Sequence, residues 1–251
     1  MFTDSHCHLA DSTLASRLPE VLADARKNQV HRFIVPAAEA QEWPAVLALA
    51  ATDIHPALGI HPWFADKAAF NRLPELETYL QQHPELLIGE IGLDYKQCLS
   101  ENGRELQRRL LSQQLELACR YQRPVILHNL QSSADLLALL KQHQIHRGIV
   151  HAFSGSLEEA HAFIRQGLLI GIGSLLLNPN AKKACRAAAE LPLTSIVLET
   201  DSPFMLKNET NTPANVRVIA ETVAGLRGIS LAALSVQTEI NVAQLLAFQT
   251  A

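Results

Sequence analysis

Leu86-Leu87-Ile88-Gly89-Glu90-Ile91-Gly92-Leu93-Asp94 is an apolar run that ends in carboxylates. A short, continuous apolar run suits a strand buried on both faces, as in a parallel sheet. A carboxylate at the end of such a run is costly to bury unless it is paired or bound to a metal. The stretch therefore predicts a parallel α/β architecture with polar chemistry at the C-terminal end of its strands.

Seven further apolar runs accompany Leu86–Ile91: Phe2–Cys7, Arg32–Pro36, His55–Gly59, Pro124–His128, Gly148–His151, Leu168–Ile172 and Ser195–Thr200. Each precedes a candidate helix, and eight consecutive βα units predict a closed (β/α)8 TIM barrel over residues 1–251. Helix punctuation agrees with this division. Ser156-Leu157-Glu158-Glu159 reads as a capping box, and Gly167 lies just past that helix. Thr212-Pro213 places a capping hydroxyl before a first-turn proline, Gly228 closes that helix, and Ser230 caps a last one predicted to cover the barrel's outside. The loops Ile60–Pro74 and Asp94–Asn102 fall at the end where barrel sites form, and no Gly/Ser linker marks a second domain.

The composition narrows the function classes. Hydrophobic residues make up 48% of the 251 and charged ones 18%, which fits an aliphatic globular core. A net charge of −4 gives no global attraction to nucleic acid or anionic membranes, so a polyanion would have to be gripped locally. Cys7, Cys98, Cys119 and Cys185 form no C-x-x-C, which excludes a zinc knuckle of that type and suits reduced thiols. The chain opens directly into a strand-like segment and holds no apolar run near ~20 residues, so the expectation is a soluble, cytoplasmic protein without a membrane partner.

The ends of the runs carry the chemistry. His6 and His8 are two apart at the end of the first, Glu90 closes the fourth, His128 the fifth and His151 the sixth, and Asp201 follows the eighth. One histidine in such a place is commonly structural, but imidazoles and carboxylates gathered at one end of five strands are what a divalent metal centre requires. Six donors exceed one tetrahedral catalytic site and suit two cations, with Glu90 as the bridging carboxylate. Asp201 could bind one cation and accept a proton from a nucleophilic water. The donor set admits Zn, Mn, Fe, Co or Mg.

Asp4-Ser5-His6-Cys7-His8-Leu9, Gly59-Ile60-His61-Pro62, Gly89-Glu90-Ile91-Gly92-Leu93-Asp94, Pro124-Val125-Ile126-Leu127-His128, His151-Ala152-Phe153-Ser154-Gly155-Ser156 and Leu198-Glu199-Thr200-Asp201-Ser202-Pro203 together resemble the TatD family of metal-dependent deoxyribonucleases and hydrolases. The resemblance implies an amidohydrolase-like barrel with two divalent metal ions at the six positions named. It also implies Glu90 as the bridge and phosphodiester hydrolysis, often of DNA. Two departures stand out. The family's His-Ser-Arg-Asp is here His128-Asn129-Leu130-Gln131, and its Arg-x-x-Asn-Glu-Pro stretch is reduced to Asn211 and Pro213. Both remove a guanidinium suited to phosphate recognition.

Other residues carry weaker signals. His61 and Ser154 are candidate substrate contacts. Asp4 and Glu199 suggest supporting hydrogen bonds, and Asp94 suits either a ligand contact or a loop anchor. Trp63-Phe64 suits base stacking or, more commonly, a loop seal. Arg108-Arg109 and Lys182-Lys183 read as solvated helix faces. The resulting expectation is a two-metal phosphodiesterase acting on small phosphoesters or short single-stranded DNA. The alternatives are hydrolysis of a neutral ester, amide or lactone, or a non-catalytic metal-containing binding protein.

Overall fold

The computed structural model describes residues 1–178 and 180–250. Its strands are β1 (Phe2–Asp4), β2 (Val30–Pro36), β3 (Ile54–Leu58), β4 (Leu87–Asp94), β5 (Val125–Leu130), β6 (Gly148–Val150), β7 (Leu169–Ile172) and β8 (Ile196–Leu198). Its helices are α1 (Ser12–Ala15), α2 (Leu18–Lys27), α3 (Trp43–Ala48), α4 (Lys67–Phe70), α5 (Leu73–Gln82), α6 (Glu101–Arg120), α7 (Ser133–Gln142), α8 (Leu157–Arg165), α9 (Lys182–Glu190), α10 (Val216–Arg227) and α11 (Leu231–Leu246). All eight predicted runs become strands, and they pair in parallel in sequence order. The two ends of the sheet meet: Ser5 N donates to Leu198 O at 2.9 Å, Asp201 N to His6 O at 2.8 Å and His8 N to Ser202 O at 2.7 Å.

Side-chain alternation separates two apolar layers. Ile34, Ala57, Leu87, Ile126, Ile149 and Val197 face one another inside the barrel, whereas Phe33, Val35, Leu58, Ile88, Val125 and Val150 belong to the larger cluster shared with the helices. The C-terminal helix departs from expectation. Val242, Leu245 and Leu246 of α11, with Phe248, join the inner layer, and Asn241 Nδ2 donates to Leu193 O (2.9 Å) and Ile196 O (2.8 Å) at the start of β8. Thus α11 plugs the N-terminal mouth instead of lying against the outside, because the apolar inner layer would otherwise meet water there. The opposite mouth is left for polar side chains.

Ser156 and Glu159 form the capping box, Gly228 takes a left-handed φ of 63°, and Ser230 caps α11. Thr212 makes no side-chain cap; its proline opens a 3-10 turn, Pro213–Asn215, that runs into α10. Among the described residues, no single helix is long and apolar enough to cross a membrane. Asn241→Leu should lower unfolding free energy by about 2 kcal/mol in urea titrations, because two carbonyls at the plugged mouth lose their donor. An unchanged midpoint would show that the clamp contributes nothing.

Candidate metal centre

The backbone at the open mouth is irregular, and each irregularity aims a side chain. The β4–β5 register breaks between Ile88 and Ile91, and at this bulge Glu90 N donates to Ala37 O at 2.8 Å. β4 therefore runs on to Asp94, past its expected end at Ile91. Gly92, at φ 146°, lies so near β5 that a Cβ would stand 2.0 Å from His128 O. By contrast, β1 ends at Asp4, short of the predicted Cys7. His6 and His8 meet because Cys7 is stitched in place, bridging Ser202 and donating its N–H to Ile34 O at 3.1 Å, and regular strand alternation is not the cause. Asp201 takes φ 57°, a left-handed conformation that side chains other than glycine seldom adopt and that clusters at functional sites.

These segments converge on Glu90, which is 3% exposed. Its Oε2 faces His6 Nε2 at 3.3 Å and His8 Nε2 at 3.6 Å. Its Oε1 faces His151 Nε2 at 2.7 Å, His128 Nδ1 at 3.1 Å and His61 Nε2 at 3.3 Å. Asp201 Oδ1 completes the first group, 3.6 Å from His6 Nε2 and 3.5 Å from His8 Nε2. Within each group, ring nitrogens point at one another: His6 and His8 Nε2 are 3.1 Å apart, and His128 Nδ1 and His151 Nε2 are 3.3 Å apart. All six predicted donors are brought together, and His61 joins them in contact with Glu90. Ser154 lies half-buried in the turn between His151 and α8.

Among the described residues, no Lys or Arg pairs with Glu90, Asp201 or Asp94; their ionic partners are imidazoles. Burial opposes ionisation of Glu90, yet the imidazoles of His151, His61 and His6 hold its carboxyl well below the usual range. Burial alone would depress His8 and His128, but Asp201 and Glu90 raise the first to about 9, and Asp94 and Glu90 raise the second to about 9. His6, buried and beside His151, falls to about 4. Ionised carboxylates thus sit among imidazoles in a centre that demands positive charge, and the donor set of imidazole and carboxylate fits divalent cations.

A surrounding set of hydrogen bonds holds the donors. Asp94 Oδ2 lies 3.2 Å from His128 Nε2 and accepts the Trp63 indole N–H at 2.7 Å, while its Oδ1 caps the amides of Lys96 and Gln97. Asp94 therefore both orients His128 and anchors its own loop. Asp4 accepts from Thr200 Oγ1 at 2.6 Å and from the Thr200 and His6 amides, and burial raises it to about 7. Glu199, raised by burial to about 8, accepts the Ala152 amide and stands 4.0 Å from His151 Nδ1.

Several supports are absent from the sequence reading. Asn211, fully buried, donates to Ser174 Oγ, Thr200 O and Phe204 O, closing the loop that carries Asp201. Gln114 clamps both backbone groups of Ile60, and Gln107 ties Asp94 N to Pro62 O. For Gln107 and Gln114 the only signal was polarity on α6, whereas Asn211, in the loop before Pro213, was named only as a residue kept from the family's stretch. Two expectations change. Arg108 is engaged by Glu101, Glu105 and Asp135, and Arg109 lies over the Phe70 ring, so the pair is no plain solvated face. Trp63 and Phe64 are 60% and 39% exposed and seal nothing.

A family model described as TatD related DNase matches residues 3–247. The chain belongs to the TatD family. Its relatives include the uncharacterized metal-dependent hydrolase YjjV of Escherichia coli (strain K12), 39% identical over 213 residues that span 82% of this chain and 81% of YjjV. The crystal structure of YjjV from Escherichia coli K12 matches with a TM-score of 0.90 at 34% identity and covers 97% of each chain. Deoxyribonuclease TATDN3 of Homo sapiens is 31% identical over 245 residues, 91% of this chain and 88% of that protein. This TatD-family chain is a metal-dependent hydrolase.

Gly171 gives a direct test of how the TatD-family centre is supported. A Cβ there would lie 2.2 Å from Glu199 Oε2, so the carboxylate occupies the space a side chain would need. Gly171→Ala should cost about 1–3 kcal/mol of stability, as overpacking does. Differential scanning calorimetry would register it, and an unchanged melting temperature would mean that Glu199 is free to move.

Proposed function

We propose that residues 1–251 form one (β/α)8 domain that hydrolyses phosphodiester bonds at DNA ends or in small nucleotides. In this reading two divalent cations are held by His6, His8, Glu90, His128, His151 and Asp201. The observation that carries it is the division of Glu90, whose Oε2 faces His6 and His8 while its Oε1 faces His151 and His128. That is the disposition of a bridging carboxylate. Support for the bond type comes from the family description and from the deoxyribonuclease name of TATDN3. The four cysteines are free, which suits a reducing cytoplasm.

Cations in such a centre supply Lewis acidity, lowering the pKa of water towards neutrality and withdrawing charge from a phosphoryl oxygen. The chain's own groups prepare the site. Asp94 takes the Nε2 hydrogen of His128 and leaves the Nδ1 lone pair facing the centre. His61 Nδ1 accepts the Trp63 amide at 3.2 Å, so its hydrogen resides on Nε2 and is donated to Glu90 Oε1. His61 thereby acts as a positioning residue for the bridge. Asp201 directs Oδ1 to His6 and His8, leaving Oδ2 to accept a proton from the attacking water. Zn, Mn, Fe, Co and Mg all suit these donors.

Metal analysis should find about two divalent ions per wild-type chain, and Glu90→Gln should reduce that number; stoichiometry unaffected by the substitution would sink the bridging role. Asp94→Ala should weaken metal affinity about 10–100-fold, as loss of a ligand's hydrogen-bond partner commonly does, measured by competition with a chromogenic chelator. Chelation should abolish release of nucleotides from single-stranded DNA, and metal should restore it. A second reading, hydrolysis of a neutral amide, ester or lactone, is favoured by His128-Asn129-Leu130-Gln131, which lacks a guanidinium beside the centre. Turnover of such a substrate, with none of any phosphodiester, would replace the first reading with the second.

A further inference from the structure

Trp63 stands at the rim of the centre, where only its backbone amide serves the reaction above. Its side chain is open to solvent but fixed. The indole N–H is held by Asp94, and the ring meets His61 edge-on with centroids 4.9 Å apart. Its centroid is 6.4 Å from that of His128. A surface aromatic already locked in place offers its face at little ordering cost. The ring also lines a cavity of about 400 Å³, together with Pro62, Ala65, Gln97, Cys98, Gly103 and Gln107. Gln107 is committed to Pro62 and Asp94. Gln97 is exposed, and its carboxamide offers both a donor and an acceptor.

We propose that this cavity is a nucleobase subsite, in which a base next to the scissile phosphate stacks on Trp63 and turns its edge towards Gln97. The assignment rests on the phosphodiesterase reading and adds to it a specificity element. An aromatic face accepts any base, so the subsite distinguishes nucleotides from other phosphoesters and not one sequence from another. It also gives the substrate a hold beside His128, where the chain has Leu130 in place of an arginine. Because the stacking ring donates to Asp94, and Asp94 meets His128, Trp63 is in addition a positioning residue.

Two measurements on the full chain test the subsite. The first is tryptophan fluorescence titrated with deoxyadenosine 5′-monophosphate or with deoxyribose 5-phosphate. Trp43 is fully buried, so Trp63 is the exposed member of the chain's two tryptophans. The nucleotide should quench saturably and the sugar phosphate should not. By calorimetry, Trp63→Ala should weaken nucleotide binding by about tenfold or more, whereas Trp63→Phe keeps most of it. Equal response to both ligands, or nucleotide affinity indifferent to Trp63→Ala, overturns the subsite.

The second measurement compares, with metal-loaded enzyme, a deoxyadenosine dinucleotide and its doubly abasic analogue. KM should favour the base-bearing substrate by about tenfold, a ratio that falls towards one in Trp63→Ala. Trp63→Phe should keep that ratio but lose kcat, since it retains the ring and removes the donor to Asp94. Hydrolysis with KM indifferent to the bases leaves the phosphodiesterase reading intact and overturns the subsite. Base-dependent binding through Trp63 without hydrolysis of any phosphodiester supports the subsite and overturns the reading of the reaction.

Discussion

A buried carboxylate surrounded by five imidazoles is the constraint on which this structure depends. Glu90 lies within 3.6 Å of nitrogens from His6, His8, His61, His128 and His151, and no Lys or Arg among the described residues balances it. A charge so placed needs cationic or hydrogen-bonding partners on every side. The barrel supplies them by dividing its interior lengthwise. One end is filled by Ile34, Leu87, Ile126 and Val197 under α11, and the other is given over to polar groups. The apolar half sustains the fold while the polar half carries features a stability-driven design would avoid: the bulge at Glu90, the left-handed Asp201 and the Gly171 gap filled by Glu199.

The barrel was legible because burial on both faces leaves continuous apolar runs, and each of the eight produced a strand. The candidate donors were legible for a related reason: a charged or imidazole group ending such a run has no cheap structural explanation. What holds those donors was legible only in part: Asp4, Glu199 and Asp94 read as supporting groups, but their partners did not. The Thr200 that holds Asp4 lies 196 residues away, and Gln107 for Asp94 and Ser174 for Asn211 lie on other elements, so no local pattern marks these pairings. The placement of α11 had the same origin. Its Val242, Leu245 and Leu246 announce an apolar face, but the barrel's mouth and its outer wall offer such a face equally good cover.

His61 and Trp63 show how a local reading can name a residue without its partners. The family resemblance implies a histidine near the substrate at His61, and the structure turns that ring onto Glu90, with the Trp63 amide N–H donating to its Nδ1. Trp63 read as a base-stacking residue or a loop seal, and its indole N–H bonds to the carboxylate that steadies His128. In both cases the deciding partner, Glu90 or Asp94, lies on β4, about 30 residues further along the chain.

The joint between β1 and β8 has one more consequence. His6 and His8 belong to the beginning of the chain and Asp201 to its last fifth, and the seam between them is fastened by Thr200 to Asp4, a pairing of sequence separation 196. Synthesis supplies the first pair early, but their carboxylate neighbour across the seam only about 190 residues later. The grouping of His6, His8 and Asp201 therefore depends on β8 having closed onto β1, and a chain stopped before Asp201 carries the two histidines without the carboxylate that faces them.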